Sequence, residues 1–125
     1  MQILLADDNP EVRSALRLLL EHEPVVATIT EAADLETLLA HLNANCPAVL
    51  LLDWELPGLQ AMDFLTTARS ACPDVKIIAL SSKFEARQQA LAARVDAFIS
   101  KADPPEKILA TLRSLIPDPT STATI

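Results

Sequence analysis

Glycine occurs only once in this chain, at position 58, and tyrosine not at all. A lone glycine excludes the glycine-rich phosphate loops, since both G-x-G-x-x-G and G-x-x-x-x-G-K need at least two. Basic charge is also scarce: 10 Lys and Arg stand against 17 Asp and Glu, a formal net charge of −7. With no run of Lys or Arg, the chain offers no basic surface for duplex DNA or an anionic membrane, so no direct nucleic-acid partner is expected. The two histidines, His22 and His41, and the two cysteines, Cys46 and Cys72, make no metal-ligand spacing, which removes zinc. Long apolar runs are missing as well. The longest, residues 48–52, falls far short of the roughly 20 residues of a membrane helix, and Met1-Gln2-Ile3 lacks a basic signal-peptide start. A cytoplasmic location is therefore expected. Each cysteine precedes a proline just before an apolar run, so both fall at one end of a sheet if those runs are strands; in a reducing cytosol they read as two free thiols.

What the chain does have is apolar content: 50% of its 125 residues are hydrophobic, enough for one domain with a sizeable core and too much for a disordered chain. Four short runs, residues 3–6, 48–52, 75–80 and 97–99, are apolar without alternation and predict strands buried on both faces. A fifth, residues 25–29, is more mixed and predicts an edge strand. Between them lie apolar residues at helical spacing: Val12/Leu16/Leu19/Leu20, Leu35/Leu38/Leu39/Leu42, residues 61–71, residues 84–93, and Ile108/Leu109/Leu112/Leu115/Ile116. Asn9-Pro10 and Asp103-Pro104 each put a cap residue before a helix-starting proline, and Asp34 caps the second helix. Strict strand–helix alternation predicts a parallel sheet with right-handed crossovers and helices on both faces. Residues 117–125, rich in Pro, Ser and Thr, read as a disordered tail or linker stub after a domain of residues 1–116.

In an open parallel sheet, chemistry collects beyond the carboxyl ends of the strands. There the sequence places Asp7-Asp8, Asp53, Ser81-Ser82 and Ser100-Lys101. Any one of these alone reads as a cap, turn or solvated charge. Together they put three mutually repelling carboxylates on one rim, an arrangement that becomes favourable around a divalent cation. Mg²⁺ suits it, because it binds through a few carboxylates and keeps positions open for phosphate oxygens. Lys101 and Ser81 supply a positive charge and a donor for a phosphoryl group, and one carboxylate serves as nucleophile.

Four motifs in order, Leu4-Leu5-Ala6-Asp7-Asp8-Asn9, Leu50-Leu51-Leu52-Asp53-Trp54-Glu55-Leu56-Pro57-Gly58, Ile78-Ala79-Leu80-Ser81-Ser82 and Asp96-Ala97-Phe98-Ile99-Ser100-Lys101, make residues 1–116 resemble a response-regulator receiver domain of two-component signalling. The resemblance implies a flavodoxin-like, doubly wound (βα)5 three-layer sandwich with strand order 2-1-3-4-5. It implies that Asp53 accepts a phosphoryl group from a sensor histidine kinase or phosphotransfer protein. Asp8 resembles the direct Mg²⁺ ligand, Asp7 one acting mainly through water, and Glu55 one giving its backbone carbonyl. Ser81 resembles the hydroxyl that meets the phosphoryl oxygen, Lys101 its ion-pair partner, and Phe98 the aromatic that turns inward with it. Residues 84–116 resemble the face that meets a downstream effector, with a second copy of the chain as a further candidate. Glu55 and Lys83 flank the pocket and are expected to pair across its mouth against attacking water. The chain departs from the family at Ala61, Arg94 and Ala97, where Gly is common and a positive φ would strain the residue, and at Ala102, where Pro with a cis peptide is usual.

The resulting expectation is a self-modifying signalling module that turns over no external substrate. A receiver fold that docks without phosphorylation is disfavoured by the complete set Asp7, Asp8, Asp53, Ser81 and Lys101. A dehalogenase-type phosphatase needs two carboxylates two residues apart after the first strand, and Asp7-Asp8-Asn9 lacks them. The last alternative is the receiver part of a transcriptional regulator whose DNA-binding domain lies outside this chain.

Overall fold

The non-alternating apolar runs at residues 3–6, 48–52 and 75–80 become central strands because helices cover both of their faces, whereas the run at residues 97–99 becomes an edge strand. The computed structural model describes residues 1–115, which form β1 (Gln2–Ala6), α1 (Pro10–Glu21), β2 (Thr28–Ala32), α2 (Leu35–Ala44), β3 (Val49–Asp53), α3 (Ala61–Ala71), β4 (Lys76–Ser81), α4 (Ala86–Ala92), β5 (Ala97–Ser100) and α5 (Glu106–Leu115). The sheet is wholly parallel in the order β2-β1-β3-β4-β5. This is the expected doubly wound three-layer sandwich.

Successive strand residues point to opposite faces and so divide the core. Leu4, Leu50, Leu52, Ile77 and Ala79 pack with Leu38, Leu42, Phe64 and Leu65 under α2, α3 and α4. Ile3, Leu5, Leu51, Ile78, Leu80 and Ile99 pack with Leu16, Leu20, Ile108 and Leu112 under α1 and α5. Truncating one of the fully buried leucines to alanine costs about 2–5 kcal/mol in such a core.

Two predicted caps form as read. The Asn9 side-chain oxygen accepts from the Glu11 and Val12 amides at 2.9 and 3.4 Å, with Pro10 at the first helical position. Asp34 accepts from the Thr37 amide at 2.7 Å. The third does not: α5 starts at Glu106, two residues beyond Pro104. Pro105 follows Pro104 directly and disfavours helical φ/ψ there. Asp103 instead accepts from the Ser100 amide at 3.0 Å and pairs with Lys107 at 3.3 Å, closing the β5–α5 turn.

The edge strand also shifts, from the expected residues 25–29 to Thr28–Ala32. Its parallel register against β1, Gln2 to Thr28 through Ala6 to Ala32, requires the later start, and residues 23–26 are spent on a turn closed by Val26 N–H donating to Glu23 C=O. The helix expected over residues 84–93 is shortened to α4, leaving Phe84 91% exposed. Of the positions where Gly is common in the family, Arg94 alone has positive φ, at +67°, whereas Ala61 and Ala97 lie in ordinary backbone. The peptide after Lys101 is trans. Cys46 and Cys72 are joined in a disulfide, which corrects the reading as free thiols: the loops before β3 and β4 bring their Cα atoms to 5.5 Å. The tail expected at residues 117–125 lies outside the described residues.

Candidate functional site

The carboxyl ends of β1, β3, β4 and β5 bring the acidic and basic residues of the sequence motifs to one rim. Asp7 follows β1, with its N–H donating to Ala32 C=O at 3.1 Å and its Oδ1 accepting from the Asn9 amide at 2.9 Å. Asp53 closes β3. Its Oδ1 accepts from the Glu55 amide at 3.0 Å, and the Trp54 amide donates to Leu80 C=O at 2.8 Å, so the turn after the strand is tied to β4. Asp7 and Asp53 are both 2% exposed, whereas Asp8 faces solvent. One oxygen from each of the three carboxylates lies within 4.8 Å of the others. Hard oxygen donors this close, two of them buried and one open to water, fit Mg²⁺ better than a softer ion.

Lys101 answers part of this charge. Its amide donates to Ser81 C=O at 2.9 Å, and its Nζ lies 3.0 Å from Asp7 Oδ2 and 3.3 Å from Asp53 Oδ1. Burial alone would lower the ammonium's pKa, but hydrogen bonds and charge from Asp7 and Asp53 outweigh it, and the pKa rises above its ordinary value. Asp53 is also raised. Burial is the main cause, the Asp7 charge adds to it, and the Glu55 amide and Lys101 oppose it. A buried carboxylate held beside an ammonium can act as a nucleophile once a cation shares its charge.

Ser81 is fully buried at the end of β4, and its hydroxyl is already engaged on both sides. Its Oγ accepts from the Lys83 amide at 2.9 Å and donates to Glu55 Oε1 at 2.8 Å. The expected Glu55–Lys83 pair across the mouth is absent among the described residues, because Glu55 turns inward to Ser81. Its other oxygen, Oε2, is buried without a hydrogen-bond partner. Phe98 sits half-buried on β5 against the α2–α4 side of the core and lines a cleft with Ser82, Lys83, Phe84 and Arg87. Two residues went unread in the sequence. Arg13 donates to Asp7 C=O at 2.6 Å and, with Arg17, pairs with Glu31 of β2, fixing the first acidic turn from outside.

The model of the response regulator receiver domain matches residues 3–113. The chain belongs to the response-regulator receiver family. Phosphorylation on an aspartate is the general function of receivers. The Transcriptional activator protein ExaE of Pseudomonas putida is 29% identical over 118 residues, 93% of this chain and 55% of its own length. This receiver thus spans about half the length of the curated relatives it matches. Among solved structures, RcsB of Salmonella enterica, bound to a promoter in the presence of a phosphomimetic, superposes with a TM-score of 0.82 at 23% identity, over 98% of this chain and 72% of that one. The chemotaxis response regulator CheY4 of Vibrio cholerae does so with 0.79 at 23% identity, covering 92% and 98%. At that identity both likenesses speak for the fold. No helix of the described residues is long and apolar enough to cross a membrane.

Proposed function

We propose that Asp53 is the phosphoacceptor of this receiver and that a sensor histidine kinase or phosphotransfer protein is its donor, in the cytoplasm. A carboxylate oxygen of Asp53 attacks the phosphorus of a phosphohistidine; the P–N bond breaks, the imidazole nitrogen keeps the electron pair, and an aspartyl phosphate forms. Asp7, Asp8, Asp53 and the Glu55 backbone carbonyl are the residues that would hold Mg²⁺, which when bound neutralises charge on the phosphoryl oxygens. Lys101, already between Asp7 and Asp53, follows the charge onto the phosphoryl group. Ser81 must give up Glu55 to donate to a phosphoryl oxygen, and Phe98 turns inward in the space its movement leaves. That exchange biases the face built from residues 84–116 between two states and so signals to an effector or a second copy of the chain. We also propose residues 1–116 as the receiver, followed by residues 117–125 as a tail or linker stub. Water attack on the acyl phosphate returns Asp53, so the domain modifies and restores itself.

The observation that supports this reading best is the convergence of two buried carboxylates, one exposed carboxylate and Lys101 within ion-pair reach. A docking-only scaffold has no use for so costly a cluster. Intact mass after incubation with Mg²⁺ and acetyl phosphate is expected to rise by one phosphoryl group. The gain is absent in Asp53→Asn and with chelator. A folded protein that gains nothing, or an Asp53→Asn variant that gains as much, overturns the assignment.

A further inference from the structure

The end of the sheet opposite the acidic rim carries a second chemical feature, the Cys46–Cys72 bridge. The two residues are 26 apart in sequence and differ in environment: Cys46 is exposed in the α2–β3 loop, whereas Cys72 caps α3 and is 1% exposed in the core. The loops that bring them together are held by more than the sulfurs. Ala48 N–H donates to Gln2 C=O at 2.9 Å, Lys76 N–H to Ala48 C=O at 3.0 Å, and Cys72 N–H to Ala68 C=O at 2.8 Å. Pro47 and Pro73, directly after the cysteines, restrict both loops further. These backbone hydrogen bonds hold both loops independently of the S–S bond. A cleft of about 600 Å³ lined by Cys46, Cys72, Pro47, Pro73 and Lys76 opens onto the bridge, room enough for a small peptide thiol.

We propose that Cys46–Cys72 is a reversible thiol–disulfide site that exchanges with a low-molecular-weight thiol while the domain stays folded. The thiolate attacks the exposed Cys46 sulfur, the Cys46–Cys72 bond breaks, and Cys72 leaves as a thiolate that takes a proton. A second thiol attacks the mixed disulfide and releases Cys46. In balance, the protein disulfide and two small thiols become two protein thiols and one small disulfide; the small disulfide drives the reverse. The bridge closes the segment that runs from residue 46 through β3 and α3 to residue 72. A pair that opens and closes also reconciles a disulfide with a cytoplasmic receiver, where persistent structural bridges are rare.

The test equilibrates the full chain, without denaturant, in glutathione buffers of rising reduced-to-oxidised ratio, followed by acid quench, alkylation, intact mass and far-UV circular dichroism. Two alkyl groups are expected to appear together at high ratio and to vanish on return to oxidising buffer, with an unchanged spectrum. With oxidised glutathione, Cys72→Ala is expected to collect one glutathionyl adduct at Cys46, at least about tenfold faster than Cys46→Ala collects one at the buried Cys72. Two thiols alkylated in oxidising buffer would show that no bridge forms. A bridge reduced only after urea is added would make it a fixed staple, and equal adduct rates would refute entry through Cys46. The wild-type titration decides the proposal even if a variant fails to fold.

Discussion

Replacing Glu55 by alanine is expected to tighten the binding of a phosphoryl mimic, because in this structure Glu55 holds the hydroxyl that the mimic needs. Ser81 Oγ donates to Glu55 Oε1 at 2.8 Å, and Ser81 is fully buried, so the donor has little water to turn to. A hydrogen bond to a charged group contributes about 1.5–3 kcal/mol net. The lower end suits a pocket rim, and about 1.5 kcal/mol corresponds to roughly a tenfold population of receivers with Ser81 free. The apparent Kd for beryllofluoride in Mg²⁺ should therefore fall about tenfold in Glu55→Ala. Trp54, the only tryptophan and the neighbour of Asp53, provides the fluorescence signal. Glu55→Ala also removes a negative charge near an anion site, which by itself favours the mimic. The Ser81→Ala background separates the two effects, since no hydroxyl remains there to be held back. If Glu55→Ala improves binding as much with Ser81→Ala as without it, charge accounts for the effect and the latch is refuted; no improvement in either background refutes it as well.

Two further outcomes concern stability. Because burial raises the Asp53 pKa above its unfolded value, the native state holds a proton in a window above about pH 3.8 that the unfolded chain has lost, and the stability tied to that proton falls as pH rises through the native pKa. At pH 7 with chelator, Asp53→Asn should thus unfold at a higher urea midpoint than the wild type, and the difference should shrink toward pH 4; a lower midpoint at pH 7 would contradict this. Arg94→Gly should stabilise the domain by about 0.5–1 kcal/mol, since relief of a left-handed non-glycine residue at φ +67° exceeds the entropic cost of glycine. Urea unfolding beside Arg94→Ala, which keeps the strain, checks it, and a destabilised Arg94→Gly would show that the Arg94 side chain matters more than its backbone.

The parts of this receiver legible in its sequence are those written in local chemistry. The apolar runs around Leu4, Leu51 and Ile78 named the central strands, and the polar residues that end them named the acidic rim. β2 was harder to place because Glu31 interrupts its apolar pattern, and the arginines that make Glu31 acceptable, Arg13 and Arg17, lie on another element. Asn9-Pro10 and Asp103-Pro104 look alike as helix starts, yet the second proline at position 105 moves one of them. The side chain of Glu55 offered no local sign that it would turn to Ser81 rather than Lys83, since its partner arrives from a strand 26 residues on. The cysteine pairing likewise depended on which loops the sheet order brings together.

The sheet that splits the core into two separate apolar layers also divides the molecule as material for change. Among the described residues, the buried cluster under α2–α4 and the one under α1 and α5 have no member in common, so substitutions in one layer should combine additively with those in the other. One face of the domain can therefore drift toward a new partner through α1 and α5 while the other keeps its packing, and the phosphoacceptor strand between them stays in register.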